Sequence, residues 1–147
     1  GAAPGALPPV GGYAAARGEI GAEGWALFAI LFLWQIPHFL AIAVLHRDDY
    51  ARAGFRVLPL AENGDARTAR QMVLAALALL AASLVPWAAG MAGNAYLFAA
   101  LALGAALLAI SVRAARAGVP QCEARRLLLA TVAYLPILLV FMMADKI

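Results

Sequence analysis

Four stretches of the chain run without a single Asp, Glu, Lys or Arg: Trp25 to Leu45, Gln71 to Gly90, Asn94 to Val112 and Leu127 to Ala144. Each approaches or exceeds the roughly 18 to 20 residues that a helix needs to cross about 30 Å of hydrocarbon. Apolar side chains fill nearly every face of these runs, the pattern of a helix in contact with lipid rather than one laid on a soluble core. A helix also satisfies its own backbone hydrogen bonds, which hydrocarbon demands. The pattern predicts an all-α, polytopic transmembrane bundle with four full spans, all in one membrane domain over residues 1–147. The opening segment GAAPGALPPVGG is too rich in Gly and Pro for an ordinary helix and too apolar for an exposed loop. It reads as the tail of a fifth, broken helix packed on protein at membrane depth.

Composition agrees with this picture and narrows it. Hydrophobic residues make up 65% of the chain and charged residues 13%, against roughly a quarter charged in a soluble domain. With a mean hydropathy of +0.86, most of the apolar surplus has to face lipid. The chain has no initiator Met, and its uncharged start lacks the basic beginning of a secretory signal, so it is expected to begin in mid-protein. A single cysteine, Cys122, excludes an internal disulfide framework and any Cys-cluster metal site, and suits a small side chain at the membrane edge.

The charges that exist are unevenly placed. The connection from His46 to Arg70 carries Arg47, Arg52, Arg56, Arg67 and Arg70, and that from Arg113 to Arg126 carries Arg113, Arg116, Arg125 and Arg126. The opposite ends hold only Arg17 and Lys146, and nine against two places the two long connections in the cytoplasm. The net charge of +3 is spread over these loops and implies no nucleic-acid partner. Between them, GMAGN at Gly90 to Asn94 is short and uncharged, as a tight exterior hairpin would be. Ala100 and Gly104, four apart, either let two helices approach closely or are Ala-rich filler.

Polarity inside hydrocarbon has to be compensated, so the first full span, WALFAILFLWQIPHFLAIAVL, carries the most information. It contains Gln35, Pro37 and His38. Pro37 frees the carbonyl near Leu33 and predicts a kink. His38 lies on the order of 12 Å below the cytoplasmic end, where it is either a neutral imidazole bonded to a neighbouring helix or part of a functional site. The chain leaves the membrane as HRDDYARAGFRVLPLAENG, with Asp48 and Asp49 adjacent, Tyr50 beside them and Arg47, Arg52 and Arg56 around them. If the helix continues past His46, His38 and Asp49 fall within about 20 degrees of one face. Carboxylates interleaved with arginines at a membrane mouth suit a phosphorylated ligand, the acids holding Mg²⁺ and the guanidiniums taking phosphate oxygens. The other reading is a solvated loop whose acids pair with its arginines.

At these residues the sequence resembles a known family. GAAPGALPPVGGYAAARGEI, FLWQIPHFLAIAVLHRDDYARAGFRVLP and ARRLLLATVAYLPILLVFMMAD together look like the C-terminal half of the heme O synthases, or protoheme IX farnesyltransferases, a branch of the UbiA-type intramembrane prenyltransferases. The combination of PHF with DDYARAG and LP is the specific part. The resemblance implies that the chain is the C-terminal part of a nine-helix bundle whose cavity opens to the cytoplasmic side of a bacterial inner membrane. Members of the superfamily use two acidic motifs to bind Mg²⁺ and the diphosphate of a prenyl donor. The second motif falls on His46 to Gly54, with Asp48 and Asp49 as the matching acids. A literal DxxxD would need acids at positions 46 and 50, which hold His46 and Tyr50, and heme O synthases share that departure. The first motif, on an earlier helix, is absent from this chain.

The activity implied is transfer of farnesyl from farnesyl diphosphate to a vinyl group of heme b, with Asp48 and Asp49 for Mg²⁺ and diphosphate and Arg47 and Arg52 assisting. His38 is implicated on the heme side, as an iron ligand or a hydrogen-bond partner for a propionate. Gln35, Tyr50 and Arg56 join the substrate-binding set, and Trp34 and Phe39 are candidates to line an apolar cavity or to face lipid. Membrane lipid and heme A synthase are the other partners implied, and the segment alone is expected to be inactive. Two other readings stay open: a prenyltransferase acting on a quinone precursor or other lipid acceptor, for which His38 would be dispensable, and a non-catalytic transporter or assembly subunit in which His38 relays protons or ions.

Overall fold

The computed structural model describes residues 18, 21–54 and 64–145, and the broken helix expected over the opening segment lies outside them. The described residues form α1 (Ala22–Leu45), α2 (Arg47–Ala53), α3 (Gly64–Ser83), α4 (Val85–Ala88), α5 (Asn94–Arg116) and α6 (Gln121–Ala144). Four stretches, Gly24–Leu45, Ala66–Ala88, Asn94–Arg116 and Gln121–Ala144, are long and apolar enough to cross a membrane. Helix α1 runs through Pro37 and α6 through Pro136 without interruption.

Several boundaries differ from those the apolar runs predict, α1 among them, which starts at Ala22 rather than Trp25. Helix α5 extends past Val112 to Arg116, and α6 starts at Gln121 rather than Leu127, so the connection between them shrinks to residues 117–120. The arginines expected in that loop are helical: Arg is a good helix former, and the charges of Arg113 and Arg116 are favoured in the last turn of α5. Glu123 gains in the same way from the first turn of α6. The second span begins at Gly64 instead of Gln71 and breaks at Leu84, two residues before Pro86, whose ring nitrogen has no proton to continue the ladder.

Helix α1 packs on α3 and α6, and α5 packs on the same two, so the four long helices form a closed ring of antiparallel neighbours. Their outer faces remain apolar and open: Phe98 is 69% exposed, Val140 62% and Met143 79%, as lipid-facing side chains should be. Inside, small residues set the spacing. Ala100 and Gly104 are fully or nearly fully buried on α5, and a Cβ at Gly104 would lie 2.3 Å from a methyl of Leu80 on α3. Gly104 is thus a site of close helix approach and not filler.

The two ends of the ring are built differently. At one end Gly90, with φ +76°, turns the chain after α4, and the Gly93 N–H donates to the Asp145 carbonyl at 3.0 Å. The Asp145 carboxylate accepts from the Tyr96 N–H at 2.9 Å, so the residue that follows α6 caps the first turn of α5. A Cβ on Gly93 would sit 2.7 Å from that carboxylate, which is why this position is glycine. The opposite end collects Arg47, Arg52, Arg67, Arg70, Arg113, Arg116, Arg125 and Arg126, while the first end has no Lys or Arg among the described residues.

Candidate functional site

The polar residues of the first span meet a partner helix at mid-depth. On α1, Trp34 and His38 stand one turn apart and stack, with ring centroids 4.6 Å apart and planes inclined by 19°. The Trp34 indole donates to the Thr131 carbonyl of α6 at 2.8 Å. His38 Nδ1 lies 2.9 Å from the Thr131 hydroxyl, which in turn donates to the Leu128 carbonyl at 2.7 Å. Phe39 meets the His38 ring edge-on at 5.6 Å and is half exposed on its outer side. Gln35 is buried one residue away. Indole, imidazole and hydroxyl together tie α1 to α6 inside the hydrocarbon, and His38 is only half-buried, so part of its ring remains reachable.

Thr131 carries no charge, so its signal in the sequence is weaker than that of an ionisable residue in a span. Its signal is nevertheless present: a polar side chain in the middle of the apolar run Leu127 to Ala144 needs a partner there. The same signal marks a second node. Ser83, Tyr96 and Tyr134, from three helices, share a buried cluster in which the two hydroxyls of Ser83 and Tyr134 lie 2.5 Å apart. The Tyr96 hydroxyl donates to the Ser83 carbonyl at 2.7 Å, at the point where α3 breaks.

At the mouth, the expectation of one continuous helix is corrected. Helix α1 stops at Leu45, His46 leaves helical geometry with φ −109° and ψ 26°, and Arg47 to Ala53 form the separate short helix α2. The alignment of His38 and Asp49 on one face assumed an unbroken ladder and does not carry across this residue. Backbone bonds end on His46 from either side, its N–H donating to the Ile42 carbonyl and its carbonyl accepting from the Tyr50 N–H, both at 3.0 Å.

Helix α2 presents Asp48 and Asp49 in its first turn and Arg52 in its last, each favoured there by the helix dipole. Arg52 pairs with Asp49, and His46 Nδ1 lies 3.6 Å from the other Asp49 oxygen. Both acids are exposed, and Arg47 and Tyr50 are half-buried. Arg56 lies outside the described residues. Among the described residues no three His, Cys, Asp or Glu side chains converge into a metal cage. Two adjacent carboxylates are still a suitable protein share for Mg²⁺, which commonly takes one or two carboxylates and fills its remaining positions with water and phosphate oxygens.

Also at the basic end, Glu123 is 6% exposed, and its Oε1 accepts from Arg126 at 3.1 Å and forms an ion pair with Arg113 at 3.3 Å. This cluster fastens the entry of α6 to the exit of α5, and nothing in the sequence distinguishes Glu123 from the surrounding loop charge. A shallow groove of about 700 Å³ between α3 and α5, lined by Leu80, Leu108 and Val112 and ending at Arg113 and Arg116, lies on the opposite edge of the ring from His38.

Comparisons with known proteins bear on what this arrangement does. The model of the UbiA prenyltransferase family matches residues 1–143. The chain is 49% identical over 152 residues to the protoheme IX farnesyltransferase of Koribacter versatilis, covering 99% of this chain and 49% of that protein. Against the enzyme of the same name from Solibacter usitatus it is 48% identical, covering 99% of this chain and 50% of the relative. For that of Sorangium cellulosum the identity is 47%, covering 97% and 51%. The chain thus spans about half the length of the curated relatives it matches. No solved structure matches it.

Proposed function

The chain belongs to the UbiA prenyltransferase family, and on that premise we propose that its helices build part of an intramembrane site that transfers farnesyl from farnesyl diphosphate to a vinyl group of heme b. The observation that carries this reading is the near-complete coverage of the chain by relatives named protoheme IX farnesyltransferase. The geometry is compatible with it: an acidic and basic helix at the mouth sits one short break away from an apolar, aromatic span holding a half-buried imidazole.

In this reading Asp48 and Asp49 hold Mg²⁺ at the mouth. When bound there, Mg²⁺ supplies positive charge to the diphosphate and eases its departure. Arg47 and Arg52 place guanidinium donors beside the same oxygens, where negative charge accumulates as the allylic C–O bond breaks. For Arg52 this requires exchanging its pair with Asp49 for phosphate, a small cost because both side chains are exposed. The farnesyl cation is attacked by the vinyl π electrons. A water oxygen then bonds to the resulting cationic carbon and releases one proton, leaving a hydroxyethylfarnesyl group on the porphyrin. Trp34 and His38 border the porphyrin at mid-depth, and Gln35 and Tyr50 complete the substrate contacts. The basic end faces the cytoplasm of a bacterial inner membrane, and heme A synthase receives the product.

The test is a mass-resolved heme profile of membranes from a strain lacking its own heme O synthase, complemented with the full-length protein containing this segment. The expected result is a heme heavier than heme b by one farnesyl and one hydroxyl group. Heme b alone, with the protein present in the membrane, would sink the reading and favour another acceptor.

A further inference from the structure

Hydrogen-bond directions around Thr131 fix the chemistry of His38 more closely than its position alone. A carbonyl oxygen can only accept, so the Thr131 hydroxyl spends its single proton on the Leu128 carbonyl 2.7 Å away. Its oxygen is then an acceptor toward His38, and the 2.9 Å contact requires the proton to sit on Nδ1. A neutral imidazole protonated at Nδ1 carries its lone pair on Nε2. The ring is held in that orientation by stacking on Trp34, and Trp34 is itself tied to the carbonyl of the same threonine. One residue of α6 therefore fixes both the tautomer of His38 and the aromatic wall against which it stands.

An imidazole with Nε2 as a lone-pair donor suits a metal centre. It is the wrong partner for a carboxylate, which offers no proton to Nε2 when ionised. We propose that Thr131 is a positioning residue that presents His38 Nε2 to the iron of the acceptor porphyrin, with Trp34 bracing the ring. The proposal rests on the farnesyl-transfer reading above and decides between the two roles open to His38: iron ligand rather than partner of a propionate. The arrangement follows the general habit of metal-binding histidines, which donate the second ring nitrogen to an oxygen that sets tautomer and orientation. Here that oxygen is a hydroxyl on a neighbouring helix, so the ligand is aimed by the packing of α6 on α1.

The experiment uses the full-length protein in detergent, titrated with heme b and followed by the iron–histidine stretching band of the ferrous complex in resonance Raman spectra. Wild type should show the band, and His38→Ala should lose it. Thr131→Val, which keeps the side-chain volume and removes the acceptor, should shift the band and weaken heme binding by about ten-fold, the scale on which outer-shell partners act. Thr131→Ser, which keeps the hydroxyl, should restore both. Trp34→Phe leaves the Thr131 hydroxyl in place while removing the indole donor and narrowing the stacked ring, so it should broaden the band without abolishing it. If Thr131→Val gives the wild-type band while His38→Ala loses it, the positioning role is overturned and the heme reading stands. If His38→Ala retains the band, His38 is not the ligand and the proposal fails. If the wild type binds farnesyl diphosphate and no heme, the acceptor reading itself falls.

Discussion

At the scale of single residues, the mouth is decided by one backbone angle. Because His46 leaves helical geometry, the acids of α2 are carried on a separate short helix and not on a continuation of α1. Asp49 already holds Arg52 and lies near His46, whereas Asp48 is the neighbouring acid at the start of the short helix. If both acids serve the diphosphate, their neutral isosteres should fail to different degrees. Asp49→Asn should lower farnesyl transfer on the order of 100-fold, the scale of losing one preorganised electrostatic contact to a developing charge. It also releases Arg52. Arg52→Gln should cost less, since an exposed arginine shares its task with Arg47 and is screened by water. Steady-state kinetics of the full-length protein with varied farnesyl diphosphate would check the order, and equal activity in Asp49→Asn and wild type would remove this acid from the site.

At the scale of elements, the runs of apolar residues made the four spans legible, because a lipid-facing helix has to be apolar along its length. What they could not show is where helices continue beyond the hydrocarbon. Arg113, Arg116 and Gln121 to Arg126 are polar and helical at once, and a rule keyed to hydropathy ends the element too early. The node at His38 was half legible: the imidazole stood out, but the identity of its partner depends on which helix packs against α1, and no spacing along one span encodes that. Gly104 was legible as a candidate and its meaning was not, until Leu80 was seen to fill the space. Gly104→Ala should therefore lower the thermal stability of the detergent-solubilised protein, by about 1–3 kcal/mol if Leu80 cannot swing clear. The double variant Gly104→Ala with Leu80→Ala should cost less than the sum of the two single changes, since each relieves the other. Tyr96→Phe strips the donor from the Ser83 carbonyl at the break after α3 and should cost about 1 kcal/mol by the same measurement.

For the whole molecule, the asymmetry of the ends is the property with the widest consequence. Eight described arginines and the exposed Cys122 share one end, and Asp145 with the Gly93 turn closes the other. Positive charge is retained on the cytoplasmic side during insertion, so the basic end, and with it Asp48 and Asp49, should face the cytoplasm. Cys122 is the only cysteine of this chain and lies at the start of α6, which makes it a natural reporter. In full-length protein with any other cysteines replaced, a membrane-impermeant maleimide should label Cys122 in inside-out vesicles and leave it unlabelled in intact spheroplasts. A cysteine placed at Met91, in the turn at the opposite end, should show the reverse pattern in a Cys122→Ser background. Labelling of Cys122 from outside the cell would invert the bundle. It would also put α2, the helix proposed to hold the diphosphate, on the side of the membrane away from a cytoplasmic prenyl donor, so the same experiment bears on topology and on substrate access together.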